Sequence, residues 1–139
     1  MRVKRLSQKD KTEIIQDLSN FLNEREEILF SYLHGSFIEN SYFRDIDIAI
    51  FLKENQIPKN DILKYELSLP LKIQSRIKFP IEVRVINYAP LAFQYYSTTG
   101  KLLSCCDDDK RVDFLTYVRS LYLDYKPISE KILQDMLSG

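Results

Sequence analysis

The spacing of apolar and polar residues along the first half of the chain predicts a helix followed by two strands. Apolar side chains recur at helical spacing over residues 8–25, with polar side chains, lysine among them, on the opposite side, which predicts an amphipathic helix. The run ILFSYLHG at 28–35 is apolar and rich in β-formers, so it predicts a buried strand that ends in a sharp turn at Gly35. The run RDIDIAIFL at 44–52 alternates before it becomes wholly apolar, and it predicts a second strand.

The same alternation of helix and strand continues in the second half of the chain. Residues 59–78 carry apolar side chains at helical spacing, and Pro70 is expected to kink or split that helix. The run FPIEVRVIN at 79–87 alternates and predicts a third strand, while KLLSCC at 101–106 predicts a fourth strand at the edge of the sheet. Pro90 is expected to open a short helix between these two strands.

The C-terminal part of the chain is predicted to be helical. Three aspartates at 107–109 precede a helical pattern, and because acidic residues suit the positive end of a helix dipole they predict a cap rather than a metal site. Pro127 is then expected to begin a last short helix. The residues of that helix predicted to face inward are Ile132, Leu133 and Met136.

Length and composition agree with one globular domain. The chain has 139 residues, of which 45% are hydrophobic and 29% charged, the usual balance of a soluble domain. The order of elements predicts an α+β (mixed α/β) fold in which helices cover a small mixed sheet. Because no linker divides the sequence, residues 1–139 are predicted to form a single domain.

Charge and cysteine content narrow the class of protein. Lys plus Arg and Asp plus Glu both number 20, so there is no overall positive field, and direct binding to nucleic acid is not expected. A near-neutral chain tends to associate, which favours a homo- or hetero-oligomer. No apolar run has the length of a membrane span and no signal peptide is seen. Together with the adjacent Cys105 and Cys106, which are expected to stay reduced, these features predict a cytoplasmic protein.

The segment HGSFIENSYFRDIDIAIFL at 34–52 carries the most informative chemistry. Gly35 can adopt positive φ, and Ser36 is expected to begin a short helix whose free N–H groups bind a phosphate. Asp45 and Asp47 are two apart on a predicted strand, so both point to one face. Neighbouring carboxylates repel each other unless a cation lies between them, and Mg²⁺ prefers carboxylates combined with phosphate oxygens. The segment therefore predicts a site for Mg²⁺ and a bound triphosphate.

Glu82 is the candidate for a third acid. It shares one face of the predicted third strand with Arg84, and it joins Asp45 and Asp47 if that strand neighbours theirs. Three acids with one or two Mg²⁺ ions support in-line displacement at phosphorus. The alternative interpretation of the same pattern is a surface ion pair between Glu82 and Arg84.

His34 and Arg44 lie close to these residues in the sequence and have plainer interpretations. His34 is the one histidine of the chain, and since a lone histidine cannot form a metal site it is expected to be structural. Arg44 has the chemistry to contact a phosphate. An exposed arginine at the start of a strand is nevertheless the expected interpretation.

These motifs resemble those of the polymerase-beta superfamily of nucleotidyltransferases, and more narrowly its minimal members, the MNT-domain proteins. The resemblance lies in the order of a strand, Gly-Ser, a short helix and a strand carrying Asp-x-Asp. It extends over nearly the whole chain. The matching segments are GSF at 35–37, RDIDIAIF at 44–51, IEVRVINYAP at 81–90 and LYLDYKP at 121–127.

The resemblance implies a role for each candidate residue. Gly35 and Ser36 would hold the phosphates of ATP, the nucleotide substrate. Asp45 and Asp47 would ligate Mg²⁺. Glu82 stands where the family places its third acid, which ligates a second metal ion or helps to deprotonate the attacking hydroxyl.

The resemblance also implies a reaction and a partner. Minimal members of the family are typically encoded beside a HEPN-domain ribonuclease toxin, and several act as its antitoxin by moving AMP from ATP onto a toxin tyrosine. The chain is therefore expected to be a nucleotidyltransferase whose partner is a cognate HEPN toxin. Two alternatives stay open: a non-catalytic module that neutralises its partner by complex formation, and transfer to a small molecule such as an aminoglycoside.

Overall fold

The computed structural model describes residues 4–138, which contain six strands and five α-helices. The strands are β1 (Lys4–Arg5), β2 (Ile28–His34), β3 (Tyr42–Phe43), β4 (Ile46–Leu52), β5 (Ile81–Val85) and β6 (Lys101–Cys105). The helices are α1 (Gln8–Asn23), α2 (Ser36–Glu39), α3 (Ile62–Ile73), α4 (Leu91–Ser97) and α5 (Asp108–Ser138).

Four of the strands form the central sheet, in the order β5–β4–β2–β6. β4 runs parallel to β5, whereas β2 runs antiparallel to both β4 and β6, so the sheet is mixed. β1 and β3 form a separate antiparallel pair that the sequence pattern did not predict. A small mixed sheet with helices packed on it confirms the predicted α+β class.

Helices cover both faces of the central sheet. Because side chains alternate along a strand, Ile48 of β4 points to the face that packs against α1 and α3. Ala49 points to the opposite face, where it joins a smaller cluster that includes Leu115 of α5 and, partly buried, Phe93 of α4. Asp47 lies two residues before Ala49 and so shares its face. The candidate site therefore lies on the α4 and α5 side of the sheet.

Most of the predicted elements are present, with bounds that differ by a few residues. The predicted strands at 44–52 and 79–87 shorten to β4 and β5, and KLLSCC forms β6, an edge strand beside β2. Asp107 caps α5, since it accepts a hydrogen bond of 3.2 Å from the backbone N–H of Lys110. Both cysteines are free thiols, as expected.

Pro70 does not split a helix, which was one of the two effects predicted for it. α3 continues through Pro70 as far as Ile73. It is shorter than the predicted range 59–78, in part because Lys59–Asp61 forms a 3-10 turn instead. Pro70 lies in the last turn, so its missing N–H removes one hydrogen bond close to the helix end, where Leu69, 1% exposed, still anchors α3 in the core.

The prediction of a separate last helix beginning at Pro127 is wrong. α5 continues through Pro127 to Ser138. Ile132, Leu133 and Met136, predicted to face inward, are 55%, 57% and 73% exposed. Because this part of α5 is exposed, water can bind the carbonyl that Pro127 leaves without an N–H donor. No helix within residues 4–138, α5 included, has both the length and the apolar character that a membrane span requires.

Candidate active site

Three carboxylates meet on one face of the central sheet. Asp45 immediately precedes β4, Asp47 belongs to that strand, and Glu82 of β5 lies directly beside Asp47 in the parallel register. One carboxylate oxygen from each residue lies within 4.8 Å of the other two. The structure thus brings together the three acids that the sequence singled out. Alternation on two neighbouring strands is what places them on a common face.

A tight turn beside these acids begins α2. Gly35 has φ of +84°, and the helix starts at Ser36, as the sequence predicted. A Cβ atom on residue 35 would overlap the carboxylate of Asp47, so the missing side chain is required by the close approach as well as by the backbone angle. The first N–H groups of a helix have no partner inside it. The predicted phosphate turn therefore lies next to the acid cluster.

Burial and neighbouring negative charge raise the pKa of Asp47. Burial is the largest cause, followed by the charges of Glu82 and Asp45 and by a hydrogen bond with Glu82, and together they raise the pKa from 3.8 to about 6. A divalent cation held between the three carboxylates would remove this repulsion. Carboxylate oxygens are also the donors that Mg²⁺ prefers, so the residues present fit a Mg²⁺ site.

Arg84 does not neutralise Glu82. Its Nε lies 3.9 Å from a carboxylate oxygen of Glu66, and its guanidinium carbon lies 4.6 Å from the centre of the Phe93 ring. Among residues 4–138 no ion pair joins Glu82 to Arg84, so the alternative interpretation as a surface pair is not supported. Arg44 is exposed, as expected.

His34 lies at the end of β2, directly across from Asp47 in the antiparallel register. Its ring meets that of Phe93 edge to face, with ring centres 5.5 Å apart. Within residues 4–138, its Nε2 is the one buried side-chain nitrogen or oxygen without a hydrogen-bond partner. Burial is the main cause of a pKa below the ordinary 6.5, which keeps the ring neutral. The structural role expected for His34 from the sequence does not explain why its Nε2 is buried without a hydrogen-bond partner.

Lys11 is a buried residue that stabilises α2, and the sequence pattern did not indicate this role. It was expected on the exposed polar side of the first helix, but it is 8% exposed. Its Nζ donates to the backbone carbonyls of Phe37 and Asn40 at 2.6 and 2.7 Å. These carbonyls lie in and just after α2, so the positive charge fixes the helix whose first turn lies beside the acids. Nothing in the local pattern distinguishes Lys11 from an exposed lysine, because its partners lie far along the chain.

A mixed sheet that carries converging acids beside a Gly-Ser turn is the arrangement of a nucleotidyltransferase. Residues 16–109 match the family model described as polymerase beta, nucleotidyltransferase, and this range includes the turn and all three acids. The chain therefore belongs to the polymerase beta nucleotidyltransferase family. It matches no curated protein.

Solved structures with a similar fold include several toxin–antitoxin complexes. A crystal structure of the toxin–antitoxin MntA–HepT contains a chain that is 20% identical to this one. The match covers 94% of this chain and 99% of that chain, with a TM-score of 0.61. A toxin–antitoxin crystal structure with AMP-PNP is 21% identical over 92% of this chain and 98% of that chain, with a TM-score of 0.63. A structure of a tri-AMPylated Shewanella oneidensis HEPN toxin in complex with MNT antitoxin contains a chain that is 20% identical to this one. The match covers 95% of this chain and 99% of that chain, with a TM-score of 0.61. These similarities establish a shared fold over nearly the full chain.

Proposed function

We propose that this protein transfers AMP from Mg-ATP to a tyrosine hydroxyl of a cognate HEPN toxin and thereby acts as its antitoxin. The observation that carries the proposal is the convergence of Asp45, Asp47 and Glu82 beside the turn at Gly35 and Ser36. The fold shared with MNT antitoxins, one of them in complex with a tri-AMPylated HEPN toxin, supports the choice of acceptor. Free cysteines agree with a cytoplasmic site of action.

Each candidate residue has a task in this reaction. Gly35 and Ser36 hold the triphosphate through backbone N–H groups and the serine hydroxyl. Asp45, Asp47 and Glu82 would hold Mg²⁺, which when bound neutralises charge on the phosphates.

The bond changes follow from this placement. The acceptor oxygen attacks the α-phosphorus of ATP and forms a new oxygen–phosphorus bond. The bond from that phosphorus to the bridging oxygen breaks, and pyrophosphate leaves with the electron pair. The hydroxyl proton passes to a carboxylate, for which Glu82 is the candidate because it lies on the edge of the acid cluster away from Gly35.

Transfer of a labelled AMP group tests the proposal. The protein is incubated with ATP labelled at the α-phosphate, Mg²⁺ and the HEPN protein encoded beside it, and the label on that partner is measured. The double variant Asp45→Asn/Asp47→Asn is expected to lose at least about 100-fold in rate, since it removes two ligands of the cation. Asp109→Asn/Asp113→Asn, which changes two exposed acids on α5, is the matched control and should label the partner normally.

The same double variant separates transfer from neutralisation by binding. If transfer is the antitoxin mechanism, the variant fails both to label the partner and to silence its ribonuclease activity. A variant that does not label the partner but still silences it would show that complex formation is sufficient. Labelling by the variant at the wild-type rate would contradict the assignment of the acids.

A further inference from the structure

A small cavity opens beside the acid cluster and is not accounted for by the phosphate turn. Its volume is about 210 Å³, and it is lined by His34, Asp47, Glu82, Arg84 and Phe93. Pockets that enclose drug-sized ligands measure roughly 300–1,000 Å³. The cavity is therefore too small for a whole nucleotide but has room for a single ring.

The cavity adjoins the phosphate turn through His34 and Asp47 and extends from there towards Arg84 and Phe93. His34, Asp47 and Glu82 form a row across three neighbouring strands, since each is the register partner of the next. Arg84 lies two residues further along β5 and Phe93 comes from α4, whereas neither Gly35 nor Ser36 lines the cavity. A group in the cavity would therefore lie beside the carboxylate of Glu82.

One part of the cavity wall, formed by His34 and Phe93, is aromatic and preassembled. The Phe93 ring is held edge to face against His34, with centres 5.5 Å apart, and the Arg84 guanidinium carbon lies 4.6 Å from the Phe93 ring centre. Aromatic walls of this kind favour a second ring by offset or edge-to-face contact. Buried polar atoms nearly always have a hydrogen-bond partner, and a ligand is one explanation for an exception. Nε2 of His34 is such an exception.

We infer that His34, Arg84 and Phe93 form the acceptor subsite, which admits a phenol ring and positions its hydroxyl next to Glu82. His34 is a positioning residue whose Nε2 forms a hydrogen bond with the phenol oxygen. Phe93, supported by Arg84, contacts the ring. The subsite selects tyrosine over serine or threonine, whose side chains are too short to fill the cavity. This inference rests on the proposed AMP transfer.

Binding of a free tyrosine analogue tests the subsite without requiring transfer. His34 is the single histidine, so its ring signals in an NMR spectrum of the full-length protein need no further assignment. Titration with N-acetyl-tyrosinamide, with Mg²⁺ and a non-hydrolysable ATP analogue present, is expected to shift these signals saturably. N-acetyl-phenylalaninamide lacks the hydroxyl and is expected to bind about tenfold more weakly. No shift with the tyrosine analogue, or equal binding of N-acetyl-serinamide, would overturn the inference.

Variants at His34 test positioning in the transfer reaction. His34→Phe keeps the ring and its contact with Phe93 but removes Nε2, and it is expected to lower kcat/KM for the partner about tenfold. Its dissociation constant for Mg-ATP should stay within about twofold of wild type. His34→Gln, which offers a polar atom at a similar reach, should restore most of the activity. A weaker Mg-ATP affinity in His34→Phe, by about tenfold, would assign His34 to the nucleotide site and overturn the inference.

The two experiments separate failure of the subsite from failure of the proposed function. If the wild-type protein does not label its partner, AMP transfer is wrong, and the NMR titration alone decides whether the cavity binds a phenol. If the wild type labels its partner but the titration shows no binding and His34→Phe is fully active, the subsite is wrong and AMP transfer stands.

Discussion

Gly35 and Asp47 pack so closely that a Cβ atom on residue 35 would overlap the Asp47 carboxylate. The turn that begins α2 and the acid that belongs to β4 are therefore parts of one geometric unit. Any side chain at position 35 must move either the turn or the carboxylate. Position 35 therefore requires glycine for two reasons. A side chain would overlap the Asp47 carboxylate, and the φ of +84° is one that other residues rarely adopt.

The variant Gly35→Ala is expected to lower the rate of AMP transfer roughly 100-fold, because a displacement of about 1 Å at a reacting site has an effect of this size. Unfavourable φ alone should cost about 1 kcal/mol of stability. Asn55→Ala is the matched control, since Asn55 also has positive φ, 65°, but lies in an exposed loop. Transfer assays and thermal unfolding check both variants. Full activity in Gly35→Ala would show that the close packing is not required.

The charge of Asp47 is expected to destabilise the metal-free protein above about pH 6. Its pKa is raised from 3.8 to about 6, mainly by burial and then by Glu82 and Asp45. A carboxyl whose pKa is higher in the folded chain contributes stability at low pH, and this contribution is lost as the pH rises from 3.8 through about 6. Metal-free Asp47→Asn should therefore be more stable than wild type at pH 7.5, by about 1 kcal/mol after allowance for solvent screening.

Thermal unfolding at pH 4.5 and pH 7.5 measures this effect. The advantage of Asp47→Asn should be present at pH 7.5 and much reduced at pH 4.5, whereas Asp135→Asn, at an exposed position of α5, should show no such dependence. Added Mg²⁺ should raise the melting temperature of the wild type at pH 7.5 and leave that of Asp47→Asn nearly unchanged. An Asp47→Asn protein less stable than wild type at pH 7.5 would contradict the destabilising effect of burying this charge beside Glu82 and Asp45.

Local patterns were sufficient to predict the parts of the site that lie within one segment. Asp45 and Asp47 are two apart in one strand segment, so their spacing alone places them on one face. Gly35 and Ser36 were predicted from the sequence to form a turn that begins a helix, which the structure has beside Asp47. Glu82 required a further assumption, that its strand neighbours β4, and the parallel register confirms it. The sequence offers no signal for strand order, so this step depended on the resemblance to a family.

Other features depend on contacts that no local pattern records. The continuation of α5 through Pro127 runs against the ordinary effect of proline, and it occurs where an exposed backbone lets water replace the lost donor. The unpartnered Nε2 of His34 is visible only once Phe93 has packed against the ring. The burial of Lys11 likewise results from the placement of α2 over the start of α1.

Lys11 is expected to stabilise both the fold and the phosphate turn. Its Nζ donates to the carbonyls of Phe37 and Asn40, at 2.6 and 2.7 Å, and these bonds hold α2 and the residue that follows it. Lys11→Met keeps the length of the side chain but leaves both carbonyls without their charged donor, so it should cost about 2 kcal/mol. It should also weaken Mg-ATP binding, because the start of α2 is then less well fixed. Lys9→Met, at an exposed position of the same helix, is the control.

Calorimetric titration with a non-hydrolysable ATP analogue and thermal unfolding test the two effects of Lys11→Met separately. Lower stability with unchanged affinity would show that Lys11 serves the fold alone. Unchanged stability would contradict the contribution of the two hydrogen bonds.

The C-terminal half of α5 is expected to contribute little to the stability of the isolated protein. Ile128, Ile132 and Met136 are 59%, 55% and 73% exposed, so their removal exposes little core surface. A chain that ends at Tyr125 should therefore unfold within about 1 kcal/mol of the full-length protein and bind Mg-ATP equally well. Tyr122, 9% exposed, stacks on Tyr95 with ring centres 4.1 Å apart and marks the packed part of the helix.

The contrasting variant Tyr122→Ala should cost about 3 kcal/mol, because it removes a large buried ring and its hydrogen bond to Tyr96. Thermal unfolding of the shortened chain and of Tyr122→Ala, measured side by side with the full-length protein, locates the end of the packed helix between these residues. If the shortened chain loses as much stability as Tyr122→Ala, the apolar residues after Tyr125 must pack against the protein itself. Ile132, Leu133 and Met136 would then face inward, as the sequence pattern predicts.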